Sequence, residues 1–213
     1  MIQSATGIVL RTRPLTDTSL IVNWLTRDLG RVSTAAKGAR GNKSLFRGKL
    51  DLFYEADFSY TPSRRSDLHA LREVNLRETH APLRQEIRHL QQAAYAAALI
   101  EQTTEKETPL PAIYELMHQF LAMLPQRPPQ PRSVFAFELK LLADLGLNPD
   151  LAQTHLTEAT KGLVHALLES DWPEIYTLKP TAPQANELRH FLHGYLIFHL
   201  GKIPKQRAGA IHA

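Results

Sequence analysis

Residues 20–60 read LIVNWLTRDLGRVSTAAKGARGNKSLFRGKLDLFYEADFSY, and this stretch carries the pattern on which the fold prediction depends. Two runs rich in apolar and β-branched residues, 20–26 and 31–36, flank a tight connection that ends at Gly30, and together they predict a β-hairpin. Residues 50–60 alternate between apolar and polar positions, broken only by Phe53, which predicts a further strand. A cation-rich segment with several glycines separates this strand from the hairpin.

Two more predicted strands extend the β-region. Residues 6–13 are β-branched and bounded by Pro14, and residues 68–76 place apolar side chains on one side. Five short strands in succession are typical of a small closed barrel, and the five-stranded oligonucleotide-binding (OB) fold is the leading interpretation. A small open sandwich is the alternative that the pattern leaves open.

The segment 30–50 carries six cations and no acidic residue. Such a run cannot be buried, because each cation would need a partner. It can bind a polyanion instead, since glycines let backbone N–H groups approach phosphates and the cations displace counterions. The glycines also predict a flexible centre, and a solvated loop without a ligand is the alternative. The candidate phosphate-binding residues are Arg31, Lys37, Arg40, Lys43, Arg47 and Lys49.

Two aromatic residues are candidates for stacking on nucleic-acid bases. Phe53 falls on the otherwise polar face of its predicted strand, and Phe46 lies inside the basic segment. OB folds hold single strands by stacking bases on exposed rings, without reading sequence. The alternative is that both rings belong to the barrel core, as rings at alternating strand positions commonly do.

From residue 79 onwards the hydrophobic period is that of helices. Pro82 and Pro183 suit first helical turns, and Thr157 suits an N-cap. The helix predicted from Ser133 is apolar nearly all round, which is typical of the centre of a bundle. The sequence therefore predicts an α+β protein of two domains. The first is a five-stranded OB-fold barrel at 1–78, and the second, at 79–213, is an all-α bundle of about five helices with a short basic tail whose end, after residue 207, is frayed.

Charge is distributed unevenly along the chain. Residues 1–50 hold nine Lys and Arg against two Asp, a net of +7, and since the whole chain carries +4 the remainder carries −3. A basic N-terminal module joined to a slightly acidic remainder is typical of a nucleic-acid-binding module on an interaction domain. In the tail, Lys202, Lys205 and Arg207 form a candidate second DNA-binding patch.

Other classes of protein find little support. The absence of cysteine excludes disulfides and thiolate metal sites. His190 and His193 are three residues apart on a predicted helix, but no carboxylate lies at the matching next turn. We therefore expect no metal, no cofactor and no catalytic residue. With no apolar run of membrane-spanning length and no cationic leader at the N-terminus, we expect a cytoplasmic protein without membrane association.

Several motifs, read together, are specific enough to suggest a family. They are Arg13-Pro14-Leu15, Asp17-Thr18-Ser19-Leu20, residues 26–31 and, most specific of all, Ala36-Lys37-Gly38-Ala39-Arg40. Matches continue at 137–146 and at 201–207. This arrangement resembles the RecO family of recombination mediators in bacterial DNA repair. The resemblance implies an N-terminal OB fold, a helical C-terminal domain, binding to single- and double-stranded DNA, and annealing of complementary strands.

The same resemblance implies protein partners. These are the acidic tail of single-stranded-DNA-binding protein (SSB), RecR, and indirectly RecA, which is loaded onto SSB-coated strands in association with the nucleoid. We expect the tail to need a hydrophobic groove with a cation at its rim, for which Arg132 and Lys140 are the candidates. Many members carry a four-cysteine zinc ribbon after the central helix, and this chain has only the short connection 148–155 there, so zinc is not expected.

Two other functions remain as alternatives. One is an RNA-binding OB protein, which a comparison of RNA with single-stranded DNA would separate. The other is a metal-dependent nuclease that uses the histidines, which cleavage dependent on divalent cations would reveal. The prediction favoured by the sequence is a non-enzymatic DNA-repair mediator.

Overall fold

The computed structural model describes residues 1–211 and forms two compact units. The first unit comprises residues 1–81 together with residues 104–115, and the second comprises residues 82–103 and the chain from residue 116 onwards. This division differs from the single boundary between residues 78 and 79 that the sequence suggests, because residues 104–115 group with the strands. His212 and Ala213, the last residues of the predicted helical domain, lie outside the described residues.

The first unit is a closed barrel of five strands, which confirms the predicted OB architecture. The strand order around the barrel is β1-β2-β3-β5-β4, with β4 closing onto β1. The β3–β5 pair is parallel and the other pairs are antiparallel. The strands are β1 (Gln3–Pro14), β2 (Leu20–Thr26), β3 (Gly30–Ala36), β4 (Glu55–Thr61) and β5 (Leu68–Glu78).

The barrel core is built around a pair of stacked aromatic rings. Trp24 and Phe58 lie with ring centroids 4.2 Å apart. The indole N–H of Trp24 donates a hydrogen bond of 2.9 Å to the Thr34 hydroxyl, so its one polar atom is satisfied inside the core. Alternating residues of the strands supply the rest of the apolar interior, including Val9, Val22, Val32, Ala56, Leu71 and Val74.

The fourth strand begins five residues later than its alternating pattern predicts. Residues 50–54 form a turn in which Phe53 has a φ of +66°. Its N–H donates to the Val9 carbonyl at 2.8 Å, and its ring is 1% exposed. The turn thus reverses the direction of this side chain and buries it. The prediction that Phe53 is available to stack bases is therefore wrong.

Residues 104–115, which belong to the barrel unit, approach β3 closely at Gly30. Gly30 has a φ of +69°, and a Cβ atom placed there would lie 2.0 Å from the Thr108 carbonyl oxygen. The segment is also held by the Arg31 carbonyl, which accepts a hydrogen bond from the Glu107 N–H at 3.0 Å. Glycine is required at this position for two reasons, the positive φ and the absence of space.

We expect Gly30→Ala to lower the free energy of unfolding by at least about 2 kcal/mol, because strain at a positive φ adds to a backbone clash. Urea denaturation of the full chain measures this change. Gly38→Ala is the matched control, since Gly38 also has a positive φ (+70°) but nothing lies within 4 Å of its added Cβ atom. Equal losses in the two variants would show that the approach of residue 108 does not constrain position 30.

The second unit is helical, and its boundaries follow local signals in the sequence. Thr157 and Thr181 cap helices through their side-chain oxygens, and Thr181 forms a reciprocal capping box with Gln184. Short 3-10 turns lie at Ala81–Gln85, Leu124–Gln126 and Leu151–Gln153. The helices are α1 (Ile87–Thr103), α2 (Pro111–Met123), α3 (Pro131–Asp144), α4 (Glu158–Glu169), α5 (Trp172–Ile175), α6 (Ala182–Leu200) and α7 (Arg207–Ile211); α2 begins within the first unit.

Helix α3 lies at the centre of the helical unit, as its apolar composition predicts. Residues 133–139 are all buried, and they include the carboxylate of Glu138, which is fully inaccessible. The tail predicted to fray contains the short helix α7 instead. Arg207 of this helix is 5% exposed and binds both oxygens of Glu138, at 2.6 and 2.9 Å.

Candidate nucleic-acid interface

The basic loop, which comprises residues 37–49, has a compact, turn-rich conformation. Its chain folds as successive tight turns closed by hydrogen bonds between residues three apart. Gly38 and Gly48 adopt positive φ values of +70° and +71°. The Arg40 N–H also donates to the Thr18 carbonyl at 3.0 Å, which fixes the loop to the β1–β2 connection. The closing bonds run from the N–H groups of Ala39, Gly41, Ser44, Arg47 and Lys49 to the carbonyls of Ala36, Gly38, Gly41, Ser44 and Phe46.

Phe46 anchors the loop to the barrel. Its ring is 8% exposed and packs in the same core as Trp24 and Phe58. The prediction that this ring stacks bases is wrong, because the turn that carries it directs the side chain inwards. The exposed apolar residue of the loop is the neighbouring Leu45, at 82% exposure, which sequence reasoning did not single out.

Four cations of the basic loop remain exposed to solvent. Lys37, Arg40, Lys43 and Arg47 are exposed, and none of them has an acidic partner within residues 1–211. Their hydrogen bonds go to carbonyls: Arg40 Nη1 donates to Thr16 at 3.1 Å. Lys37, Lys43 and Leu45 line a shallow hollow of about 350 Å³ together with Gly38, Gly41, Ser44 and Phe46. Uncompensated cations over exposed backbone form a surface suited to phosphate groups.

The other two predicted cations of this segment are half-buried and make structural contacts. Arg31 donates from Nε to the Thr104 hydroxyl at 2.8 Å and from Nη2 to the Thr104 carbonyl. Lys49 donates from Nζ to the Val74 carbonyl at 3.0 Å. Both side chains fix the barrel to neighbouring backbone, so the exposed set is smaller than the six cations predicted.

The three predicted cations of the tail also separate. Lys202 and Lys205 are exposed, whereas Arg207 is buried against Glu138. Burial alone would lower the pKa of Arg207, but its hydrogen bonds to Glu138 raise that pKa above the ordinary value. Tyr95 completes the cluster by donating its hydroxyl to Glu138 Oε1 at 2.5 Å. Arg207 is therefore not available to DNA, and its place in the predicted second patch is wrong.

The two cations predicted to receive a peptide lie in different surroundings. Arg132 donates to the carbonyls of Tyr176 (2.9 Å) and Leu178, and Lys140 donates to those of Leu168 (2.6 Å) and Ser170 (2.9 Å). Partial burial lowers the pKa of each side chain. Both therefore hold the backbone at the ends of short connections rather than pairing with carboxylates.

Arg132 lines a pocket whose lining does not include Lys140. The cavity has a volume of about 260 Å³, and its floor is formed by apolar residues of α3 and α4. The exposed Lys179 also lines this pocket, and no carboxylate is among the lining residues. Sequence reasoning missed Lys179, because only the fold brings residues 178–180 next to the start of α3. The lining is Gln130, Pro131, Arg132, Phe135, Leu163, Leu167, Lys179, Pro180 and Ala185.

Neither a metal site nor a membrane span emerges from the described part of the chain. Within residues 1–211, no group of three or more His, Asp or Glu side chains is placed to hold a metal ion. His190 and His193 are exposed on α6 and line a cavity of about 440 Å³ that contains no carboxylate. No helix within the same residues is long and apolar enough to cross a bilayer.

Comparison with known proteins places these features in a family. Residues 1–80 match the model "Recombination protein O N terminal", and residues 84–162 match "Recombination protein O C terminal". DNA repair protein RecO of Anaeromyxobacter sp. (strain K) is 33% identical over 146 residues, which cover 68% of this chain and 58% of that protein. The same-named protein of Bacillus pumilus is 27% identical over 211 residues, covering 95% of this chain and 81% of its relative.

The chain thus spans less than two thirds of the length of the Anaeromyxobacter relatives that it matches. Its two family matches are consecutive, and together they cover the barrel and the helical unit as far as residue 162. They agree with the closed barrel that the structure contains. The chain therefore belongs to the recombination protein O (RecO) family of DNA repair proteins, which is not a family of catalytic enzymes.

Proposed function

We propose that this protein binds single- and double-stranded DNA through the basic loop of its barrel. The observation that carries the proposal is the set of four exposed cations without acidic partners, Lys37, Arg40, Lys43 and Arg47. The loop is pre-ordered by its turns and by Phe46, so binding a phosphate backbone orders few additional residues. Leu45 offers the one strongly exposed apolar contact beside these cations.

The proposed activity is annealing of complementary strands, and it requires no covalent step. Cations that neutralise phosphates lower the repulsion between two strands, while the base edges remain free to pair. Lys202 and Lys205 are exposed on the helical unit and supply a second site for phosphate. In the cell this activity would serve recombinational repair on the nucleoid, with RecR as a partner and with loading of RecA onto SSB-coated strands as its outcome.

An annealing assay tests this proposal. Complementary oligonucleotides with a donor and an acceptor dye would be mixed with the protein, both naked and coated with SSB. Acceleration of pairing without cleavage, and without a requirement for divalent cations, supports the proposal. Stable binding to RNA with no acceleration of DNA pairing would favour a different OB-fold function, and divalent-dependent cleavage would overturn the non-enzymatic mechanism.

We further propose that the pocket at Arg132 receives the acidic tail of SSB. An apolar floor with two cations and no carboxylate suits a peptide that ends in an apolar residue and a free carboxylate. The guanidinium of Arg132 is held at the pocket by its hydrogen bonds to the Tyr176 and Leu178 carbonyls, and Lys179 beside it is exposed. Lys140 does not line the pocket, and its ammonium group already has two carbonyl partners.

Calorimetry with a tail peptide distinguishes the two cations that line the pocket, Arg132 and Lys179, from Lys140, which does not line it. We expect Lys179→Ala and Arg132→Ala each to weaken peptide binding by about ten- to a hundredfold, because each removes a charge-assisted contact. Lys140→Ala should bind the peptide like the unmodified protein. Lys179→Ala is the more easily interpreted variant, because Lys179 is exposed and makes no hydrogen bond or ion pair within residues 1–211 that stabilises the fold. Unchanged affinity in Lys179→Ala and Arg132→Ala would place the tail elsewhere.

A further inference from the structure

A second cavity of the helical unit carries the opposite charge from the basic loop. It has a volume of about 550 Å³ and lies between the connection 150–156 and one side of α6. Two carboxylates and two aromatic rings line it, and no Lys or Arg does. We call it the acidic pocket, and its lining residues are Asp150, Gln153, Thr154, His155, Leu156, Glu187, Phe191 and Tyr195.

The two carboxylates have no cationic partner. Asp150 accepts hydrogen bonds from the Ala152 N–H at 3.1 Å and from Gln153 Nε2 at 2.7 Å. Glu187 accepts from the Thr157 N–H at 2.8 Å and from the hydroxyl of Thr160. None of the ion pairs formed within residues 1–211 includes either residue, although the chain has 25 Lys and Arg.

Both carboxylates retain the capacity to accept further hydrogen bonds. A carboxylate has about four lone-pair sites, of which Asp150 uses two and Glu187 leaves at least one open. Glu187 is also held in its ionised form, because hydrogen bonds from Thr160 and Thr157 lower its pKa below the ordinary value. The pocket therefore presents fixed negative charge with unused acceptors.

The aromatic rings define which kind of cation fits. Phe191 and Tyr195 lie one helical turn apart with ring centroids 5.4 Å apart. The Tyr195 hydroxyl donates to the Leu147 carbonyl at 3.3 Å, which fixes its ring against the pocket. A guanidinium group stacks on such rings and donates in its plane to carboxylates, whereas an ammonium group is a compact point charge. A metal ion is not favoured, because Asp150, His155 and Glu187 are not grouped as ligands.

We propose that the acidic pocket receives an arginine side chain of a partner protein. The guanidinium lies against Phe191 and Tyr195 and donates to Asp150 and Glu187. The volume is in the range of pockets that bury ligands much larger than a single side chain, so the residues that flank the arginine enter as well. This inference is independent of the proposed DNA binding, because the pocket repels phosphate.

Titration of the full-length, ¹⁵N-labelled protein with short peptides tests the proposal. The probes are acetylated, amidated Gly-Arg-Gly, the same peptide with lysine, and the same peptide with citrulline, which is neutral and nearly isosteric with arginine. We expect the Ala152 and Thr157 amide resonances to shift in a saturable way with the arginine peptide. The lysine peptide should bind at least about threefold more weakly, and the citrulline peptide should produce no saturable shift.

Two variants and one control sharpen this test. Asp150→Asn preserves the cap on residues 151–153, because asparagine caps as well as aspartate does. It should weaken binding of the arginine peptide by about tenfold. Phe191→Leu should weaken binding of the same peptide by at least about threefold. Glu169→Gln, which removes an exposed carboxylate outside the pocket, should change nothing.

Three results would overturn the proposal. One is equal binding of the citrulline and arginine peptides, and another is equal weakening by Glu169→Gln and Asp150→Asn. The third is self-association of the unmodified protein that Asp150→Asn abolishes, because the occupant would then be a second copy of this chain. None of these results bears on strand annealing, which Asp150→Asn should leave unchanged.

Discussion

Replacing Arg207 with alanine should lower the free energy of unfolding by about 3–5 kcal/mol, which is the largest stability change we expect from a single substitution. The substitution removes the partner of Glu138, whose carboxylate is 0% exposed at the centre of α3. Tyr95 would remain as a hydrogen-bond donor, but a hydroxyl cannot replace a bidentate guanidinium. The carboxylate would then be buried without a counter-charge.

Chemical denaturation of the full chain measures this loss. Lys205→Ala is the matched control, because Lys205 is an exposed cation two residues away and its removal should cost less than about 0.5 kcal/mol. The double variant Glu138→Leu, Arg207→Leu should recover much of the stability. Equal stability of Arg207→Ala and Lys205→Ala would show that the buried pair does not hold α7 in place.

The second large effect concerns DNA. Changing Lys37, Arg40, Lys43 and Arg47 together to glutamine should weaken single-strand binding at 0.1 M salt by several hundredfold. Each phosphate contact on a single strand contributes about 0.7 to the slope of log affinity against log salt concentration. Four contacts therefore account for nearly three decades of affinity between about 0.1 and 1 M salt. Glutamine keeps part of each aliphatic stem, so the change removes charge with little loss of packing.

The barrel offers a control for this variant. Arg64 and Arg65 are exposed on the β4–β5 connection and have no acidic partner in the described chain. Arg64→Gln with Arg65→Gln alters charge on the same unit without touching the basic loop, and it should weaken binding by less than about fivefold. Loss of affinity in this pair comparable to that in the four-residue variant would mean that net charge, and not the loop, governs binding.

Local signals in the sequence were enough to predict most of the architecture. The strands at 20–26 and 68–78 follow apolar runs that are bounded by turn residues, and α4 and α6 begin at threonine caps. These elements are determined by residues close to one another in the chain, so a linear pattern carries the information. The OB interpretation followed from five such strands and is confirmed by the closed barrel.

Side-chain direction within turns could not be predicted in the same way. Phe53 interrupts an alternating pattern, and the pattern alone placed it on an exposed face. Its positive φ and the hydrogen bond to Val9 reverse that direction, and both depend on a strand more than forty residues away. Phe46 is directed inwards by the tight turns around it, which composition does not encode.

The availability of a cation likewise depends on distant residues. Arg31, Lys49 and Arg207 resemble the exposed cations in sequence, yet their partners are Thr104, Val74 and Glu138. Each partner lies 25 or more residues away along the chain, so no local pattern could reveal the pairing. The structure therefore separates the predicted cations into side chains that contact other parts of the chain and side chains that remain in solvent.

The salt dependence of single-strand affinity tests the central claim most directly. If the four exposed cations of the basic loop each neutralise one phosphate, the log–log slope should be about −2.8, and affinity should fall about fiftyfold between 50 and 200 mM salt. The double variant Lys37→Ala, Arg40→Ala should be folded and should have a slope of about −1.4. If this variant keeps the salt slope of the wild-type protein, the account is contradicted, because the phosphate contacts would then lie outside the basic loop.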